Sequence, residues 1–341
     1  MVCRSCNFIQ WNALNFTNEE DWTPRIAWCC EQIPDIPYVT YQETPEETLR
    51  MFAGECKMVD LECNSIKNDN RRYFTKGCAK CSSFQPGYYF NDGFVHYVNF
   101  SMYPSPCQCH CIYCNVHETD QSTDTESAKK LYEHIFSIVD LALERGLIVK
   151  NASWQVSTGE ISIHPYHDRI MKYVKGKPTS FFTNCIKFDE DIAQNLHDNP
   201  RSCIFFSIDS GIPETWHKVK GLNNFDKAIE TLSKYHVRAT HPEQIILKYI
   251  ILPGINDTYE DFISIAEIMK TLNLKKLTIA RDFRSYGKLT EQDMVNLMGA
   301  ASYLVAILLK NDMSADMLAY LPEERQVVID QAHEILDKGL I

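Results

Sequence analysis

The pattern of hydrophobic and polar residues changes near residue 95. Before that point the chain shows little sustained periodicity. After it, short apolar runs alternate with amphipathic segments, and this predicts strands alternating with helices. The predicted strands cover residues 95–102, 152–157, 180–183, 203–208, 245–251 and 277–280. Six βα units in series favour a parallel sheet with right-handed crossovers, which forms a partial α/β barrel when it curls.

The same pattern predicts helices between and after the strands. An amphipathic helix over residues 127–145 has an apolar face made of Leu131, Ile135, Ile138 and Ala142. Another helix opens at Asp257, where Glu260 three residues later completes a capping-box arrangement. Two C-terminal helices, over residues 290–310 and 322–338, are expected to pack on the barrel or close one end of it.

We therefore predict an α/β protein with three parts. Residues 1–93 form a small Cys-rich metal domain, residues 94–289 form a partial (β/α)6 TIM-like barrel, and residues 290–341 form a C-terminal helical extension. Parallel barrels carry their chemistry on the loops that follow the strand C-termini, so the candidate functional residues are sought there.

The composition limits the class of function. The chain has 341 residues, 45% of them hydrophobic, and can bury a large core. A formal net charge of −11 without a basic stripe disfavours nucleic acid as a partner. The N-terminus lacks the apolar segment of a signal peptide, and the longest apolar stretch, residues 295–309, is shorter than the about 20 residues of a membrane helix. We expect a cytoplasmic protein that does not bind membranes.

Cysteine is abundant and unevenly distributed. Of 14 cysteines, 12 lie at or before Cys114, and only Cys185 and Cys203 lie beyond it. Disulfides are rare in the cytosol, so this crowding indicates metal binding rather than crosslinks. In the N-terminal part a metal would substitute for a hydrophobic core.

The densest cysteine motif follows the first predicted strand. Cys107, Cys111 and Cys114 have the spacing C-x3-C-x2-C, and Tyr113 precedes the last of them. A four-iron cluster normally takes four thiolates, so three would leave one iron open to a small molecule, whereas structural zinc sites are closed by four ligands. Cys109 inside the motif is a decoy, a supporting residue or a rival ligand, and its C-x-C spacing disfavours ligation.

Each later predicted strand ends in its own motif. In chain order these are Ser-Thr-Gly159-Glu160, Phe-Phe-Thr-Asn184, Ser207-Ile-Asp209-Ser, Leu252-Pro-Gly-Ile-Asn-Asp and Ile-Ala-Arg281-Asp. Together with the cysteine motif, they resemble the radical S-adenosylmethionine (SAM) enzymes over about residues 100–285. The family's Thr-Asn-Gly is altered here by Cys185, which we interpret as a buried thiol. Asn184 would contact SAM or the substrate, or cap its strand.

The resemblance implies a [4Fe-4S] cluster that is held by Cys107, Cys111 and Cys114 and that binds SAM. It also implies that Gly159 and Glu160 bind the amino group of SAM. Glycine allows the backbone to approach a ligand closely, and a carboxylate pairs with an ammonium group. The alternative for this pair is a strand-to-helix turn with an exposed glutamate.

The remaining motifs are implied to surround SAM. Ser207 and Asp209 lie on one face of their strand, because side chains alternate along a strand, and would face the ribose or the carboxylate. The backbone at Ile251 and Leu252 would lie against the adenine with Tyr113 nearby. Arg281 would meet the SAM carboxylate or an anionic substrate.

A second metal centre is predicted in residues 1–93. Cys3 and Cys6 form one C-x-x-C pair, Cys78 and Cys81 form another, and Cys29 lies between them. This stretch resembles the SPASM or twitch domains, which carry auxiliary iron–sulfur clusters and usually follow the barrel. The resemblance implies one auxiliary [4Fe-4S] cluster on Cys78, Cys81, Cys29 and one of Cys3 or Cys6. Two clusters on all eight N-terminal cysteines and a zinc ribbon are the alternatives.

The resemblance implies that SAM is reductively cleaved at the cluster and that the 5'-deoxyadenosyl radical abstracts hydrogen from a substrate. The cofactor supplies this chemistry, while the barrel positions the substrate and excludes water. An electron donor such as flavodoxin or ferredoxin is implied. A peptide or protein substrate is favoured, and a sugar, nucleoside or amino acid is the alternative. The competing class is a non-catalytic zinc-ribbon protein with an inert barrel.

Overall fold

The computed structural model describes residues 4–6, 12–18, 23–27, 38–64, 84–86, 92–101, 105–114, 122–157, 159–282, 289–318 and 320–341. The strands are β1 (Arg4–Cys6), β2 (Leu14–Asn18), β3 (Pro24–Ala27), β4 (Tyr38–Thr40), β5 (Phe84–Pro86), β6 (Val95–Phe100), β7 (Ile148–Val156), β8 (Thr179–Thr183), β9 (Cys203–Ser207), β10 (Ile245–Ile251), β11 (Lys276–Arg281) and β12 (Ser314–Leu318). The helices are α1 (Pro45–Asn64), α2 (Glu126–Glu144), α3 (His167–Val174), α4 (Glu190–Asp198), α5 (Pro213–Lys220), α6 (Phe225–Arg238), α7 (Tyr259–Thr271), α8 (Glu291–Lys310) and α9 (Pro322–Asp337).

The chain divides into two compact units. Unit 1 comprises Met1–Pro106, Glu118–Tyr166 and Lys177–Ser180, and unit 2 comprises Cys107–His117, His167–Gly176 and Phe181–Ile341. These units divide the chain differently from the boundaries predicted at residues 93 and 289. The N-terminal strands share unit 1 with β6 and β7, and the C-terminal helices share unit 2 with β9–β12.

Unit 1 contains a sheet with the strand order β4-β3-β2-β6-β7. Strand β6 pairs in parallel with both β7 and β2, while β3 and β4 add antiparallel to β2. The predicted apolar face of α2 is buried, and Phe16, Phe100 and Trp154 form a chain of neighbouring rings. The N-terminal segment therefore adds strands to this sheet that its weak periodicity did not predict.

Unit 2 contains the parallel strands β9, β10, β11 and β12 in that order. Strand β8 begins in unit 1 and ends in unit 2. All six predicted strands are present, β10 with its predicted bounds and the others with shifted ends. The predicted parallel α/β class is confirmed, and β12, which was not predicted, adds a further parallel strand.

Two details of the helices differ from the prediction. Helix α7 is capped by Thr258, whose side chain accepts from the backbone N–H of Asp261, and not by Asp257. Strand β12 lies between the two C-terminal helices in sequence, and α8 packs against α9, α7, β10 and β12. The C-terminal extension thus consists of α8, β12 and α9 in this order, and it continues the alternation of strands and helices.

Helix α8 has the length and apolar composition of a membrane-crossing helix, and it is the one helix of the described ranges that does. However, 44% of its most apolar window is buried inside the protein. The core helix of a globular protein meets the same test, and the packing of α8 on its neighbours fits that description.

Candidate functional site

The cysteine loop of unit 2 carries four thiols that form no disulfide. Cys107, Cys111 and Cys114 are half-buried, whereas Cys109 is buried with 1% of its surface exposed. The three cysteines of the predicted motif are therefore within reach of a ligand, and the extra thiol points away from solvent.

The loop is fixed to the C-terminal end of α5. The backbone N–H groups of His110 and Ile112 donate to the carbonyl oxygens of Lys220 and Val219, at 2.8 and 3.0 Å. Gly221 caps α5 in the left-handed region, with φ of 69°. A Cβ atom there would lie 2.8 Å from the Cβ of His110, so this close approach requires glycine.

A buried network connects the loop to the end of β9. The ammonium group of Lys220 donates to Asp209 Oδ2 at 2.5 Å and to the Tyr113 hydroxyl at 2.6 Å. The Tyr113 hydroxyl in turn donates to Asp209 Oδ2 at 2.6 Å. The side chains of Lys220 and Asp209 are 3% and 0% exposed, so this is an ion pair removed from water.

The second carboxylate oxygen of Asp209 joins β9 to β10. Asp209 Oδ1 accepts from the backbone N–H of Ile250 at 2.7 Å. The amide of Asn256 donates to the carbonyl oxygens of Asp209 and Ile250 at 2.6 and 2.9 Å, and its Oδ1 accepts from Leu252 N–H at 2.7 Å. The asparagine of the Leu-Pro-Gly-Ile-Asn motif thereby fixes both strand ends.

These contacts favour a thiolate at Cys111. The hydrogen bond from Cys109 lowers the pKa of Cys111 to about 6; burial opposes this shift and the positive charge of Lys220 reinforces it. The pKa of Cys109 is raised, because its thiol is hydrogen-bonded to Cys107 and Cys111. Thiolates, not thiols, bind metals, so these contacts favour Cys111 as a metal ligand.

In the part of the chain that the structure describes, three ligand atoms that all lie within 4.8 Å of one another belong to His167, Asp189 and Asp191. The thiols of Cys107, Cys111 and Cys114 are candidate metal ligands by their chemistry, since thiolates bind both zinc and the irons of iron–sulfur clusters.

The structure brings several predicted residues together. Tyr113 packs against a buried apolar cluster that includes Leu252. Asn184 Nδ2 lies 3.6 Å from the sulfur of Cys107 and 3.0 Å from Oε1 of Gln108. Asn184 therefore stabilises the cysteine loop in addition to ending its strand. Ser207 is half-buried at the end of β9.

Arg281 has a different environment from the one its motif suggested. Its guanidinium pairs with Glu324 at 2.7 and 3.4 Å and lies over the Tyr320 ring. Only 5% of the Arg281 side chain is exposed. An anionic ligand at Arg281 would have to displace or share Glu324.

Gly159 and Glu160 belong to unit 1. Gly159 has φ of +65°, and Glu160 is fully buried, with Oε1 accepting from the hydroxyl and the N–H of Ser162 at 2.8 and 3.2 Å. The glutamate is therefore not exposed, as the alternative interpretation had it. The turn of that interpretation is present, because the Glu160 side chain caps a short 3-10 helix over Ile161–Ile163.

The predicted auxiliary metal centre falls mostly on residues outside the described ranges. Cys3, Cys29, Cys78 and Cys81 lie outside the described residues, and only the backbone of Cys6 is described, in β1. Its ligand set remains a prediction.

Two residues of the site were not singled out from the sequence. Lys220 ends a helix in the basic run Lys-Val-Lys-Gly, where a lysine is normally solvated and stabilises the helix dipole. Asn256 follows a Pro-Gly turn, where asparagine is common for local reasons.

No family model matches this chain, and no curated protein matches it. Several solved structures match this chain. SuiB from Streptococcus suis, bound to its precursor peptide SuiA, matches 89% of this chain and 72% of its own, with a TM-score of 0.50 and 14% identity. The chain therefore shares the fold of SuiB.

Two other solved structures give lower scores. SuiB bound to S-adenosylmethionine matches 90% of this chain and 75% of its own, with a TM-score of 0.49 and 14% identity. A radical SAM methyltransferase from Sphaerobacter thermophilus matches 62% of this chain and 63% of its own, with a TM-score of 0.41 and 11% identity.

Proposed function

We propose that this chain is a radical SAM enzyme that binds a [4Fe-4S] cluster through Cys107, Cys111 and Cys114. The observation that carries the proposal is the cysteine loop, in which three half-buried cysteines form no disulfide and the backbone is hydrogen-bonded to α5. The fold shared with SuiB supports it. When bound, the cluster and SAM supply reductive cleavage and hydrogen abstraction.

The residues of unit 2 have defined tasks in this proposal. Tyr113 and Leu252 offer an apolar surface to the adenine, next to a buried cluster that excludes water. Asp209 acts by holding Tyr113 and Ile250 in place, because both of its carboxylate oxygens already accept hydrogen bonds from protein donors. Direct contact between Asp209 and SAM, as expected from the sequence, would need the fully buried carboxylate to become accessible.

The remaining SAM contacts are proposed from their motifs. Ser207 would bind the ribose or carboxylate, and Arg281 would bind a carboxylate in competition with Glu324. Gly159 and Glu160 would bind the amino group. The attraction between a carboxylate and an ammonium group is stronger where water is excluded. Because Glu160 is fully buried, its pair with the amino group of SAM would be strong.

We propose a peptide or protein as the substrate. Support comes from the fold that the chain shares with SuiB in complex with a precursor peptide. A sugar, nucleoside or amino acid is the second candidate. An auxiliary [4Fe-4S] cluster on the N-terminal cysteines and reduction by flavodoxin or ferredoxin belong to the same proposal.

Anaerobic reconstitution tests the proposal directly. The protein is loaded with iron and sulfide, its metal content is counted, and SAM and dithionite are added. We expect about four irons per cluster and formation of 5'-deoxyadenosine. A colourless protein that contains zinc and forms no 5'-deoxyadenosine would instead establish the zinc-ribbon class.

The auxiliary cluster has a separate test. Replacing Cys78 and Cys81 by alanine should remove about four irons and leave SAM cleavage in place. If the iron content is unchanged, these cysteines do not hold a cluster.

A further inference from the structure

Lys220 and Asp209 form the most buried ion pair among the residues that the structure describes. Their side chains are 3% and 0% exposed, compared with 5% and 16% for Arg281 and Glu324. Removing two charges from water costs free energy, and the attraction between the charges often only offsets this cost. Apolar residues of similar volume at the same two positions often give an equally stable fold. The stability of the fold therefore does not by itself explain this pair.

The pair lies directly against the cysteine loop. The Tyr113 hydroxyl contacts both charged groups, and Tyr113 immediately precedes Cys114. The carbonyl oxygen of Lys220 also holds the backbone of His110, next to Cys111. One positive and one negative charge are thus fixed beside the proposed iron ligands, with little water to screen them.

We propose that Lys220 and Asp209 set the reduction potential of the metal centre that Cys107, Cys111 and Cys114 hold. This inference rests on the proposed function. Nearby charge and hydrogen bonding to the sulfurs are determinants of iron–sulfur potentials. Because reduction adds one negative charge, the Lys220 ammonium group favours it and the Asp209 carboxylate disfavours it.

The test is a redox titration of the reconstituted full-length protein with dithionite, followed by electron paramagnetic resonance. The signal of this centre is identified by its loss in Cys111→Ala. We expect Lys220→Met to make one-electron reduction harder and Asp209→Asn to make it easier. Each should change the reduction equilibrium about tenfold, which is 59 mV for one electron. The double variant should return close to the wild-type potential, and Lys220→Arg should retain it.

Lys234→Met is the matched control. Lys234 pairs with Glu230 at 2.6 Å on α6, and both side chains are about half exposed. This variant changes the net charge by the same amount, and it should leave the potential unchanged because solvent screens the lost charge.

The outcomes separate the two proposals. If the wild-type protein binds no cluster, the proposed function and this inference both fail. If the cluster is present but the two single variants shift the potential in the same direction, or not at all, only the inference fails. If Lys220→Met does not retain iron, the reduction potential of the double variant is compared with that of Asp209→Asn, because these two proteins differ only in the charge at position 220. Equal potentials of these two proteins overturn the inference.

Discussion

A Cβ atom on Gly159 would lie 2.4 Å from the Oγ of Ser105 and 2.7 Å from the carbonyl oxygen of Pro106. The same carbonyl accepts a hydrogen bond from Glu160 N–H at 2.8 Å. The Gly-Glu motif is thus packed against the residues that lead into the cysteine loop. In unit 1, this contact is possible only without a side chain at position 159.

Gly159→Ala should therefore be strongly destabilising. The positive φ costs about 1–2 kcal/mol for a residue with a Cβ, and the clash with Ser105 and Pro106 adds about 1–3 kcal/mol. The control is Gly146→Ala, since Gly146 also has φ of +65° but open space around its Cβ position. Chemical unfolding should show a clearly larger loss for Gly159→Ala, and equal losses would mean that the packing is not as described.

The cysteine loop gives a second prediction. Cys111→Ala should abolish SAM cleavage and lower the iron content, because a ligand thiolate is lost. Cys109→Ala should largely preserve both, since the Cys109 thiol is buried and its pKa is raised through its bonds to Cys107 and Cys111. Iron and sulfide counts together with 5'-deoxyadenosine yields measure this. The opposite outcome for the two variants would show that the ligand assignment is wrong.

The sequence predicted the parallel strands because their apolar runs are separated by helical periodicity. It did not predict β12, whose residues Ser-Ala-Asp-Met-Leu show mixed exposure in the structure. Nor did it predict β2–β4, which are short and which lie in a segment where cysteines suggested a metal-held fold. These strands join the sheet through β2, where Leu14 lies opposite Val98 of β6, and a pairing so distant in sequence leaves no local pattern.

The sequence indicates candidate site residues where a motif fixes the residue type at each place. Cys107, Cys111, Cys114 and Gly159 are candidates of this kind. The partners of Asp209 and Arg281 were not predictable, because Lys220 and Glu324 lie on helices whose charged residues are usually solvated. Burial of such a charge is decided by tertiary packing, which leaves no local pattern.

The ion pair of Arg281 and Glu324 gives a third prediction. Glu324→Ala should destabilise the protein by about 3–5 kcal/mol, because it leaves a buried guanidinium without its carboxylate. In Arg281→Met/Glu324→Leu most of this loss should be recovered, since no charge remains buried. Urea unfolding of the single and double variants measures the difference.

The pair of Lys276 and Asp316 is the control for that experiment. It lies on adjacent strands of the same unit, but its side chains are 58% and 59% exposed. Asp316→Ala should cost at most about 1 kcal/mol, as is typical of exposed pairs. A similar cost for Asp316→Ala and Glu324→Ala would show that the Arg281 pair is not shielded from water.

The last prediction concerns pH. His167 Nε2 lies 2.7 Å from Asp189 Oδ2, and hydrogen bonding to Asp189 raises the pKa of His167 from 6.5 to about 9 against the opposing effect of burial. Because the folded protein holds this proton more tightly than the unfolded chain, the stabilisation is complete below pH 6.5 and is lost as the pH rises through about 9.

The free energy of unfolding of the wild-type protein should therefore fall between pH 6.5 and pH 9. This fall should be much smaller in His167→Gln, which cannot take up the proton. The control is His197→Gln on α4, where the side chain is exposed, and this variant should retain the wild-type dependence. Unfolding curves for the three proteins at matched pH values measure it, and parallel slopes for wild type and His167→Gln would contradict the assignment of this proton to His167.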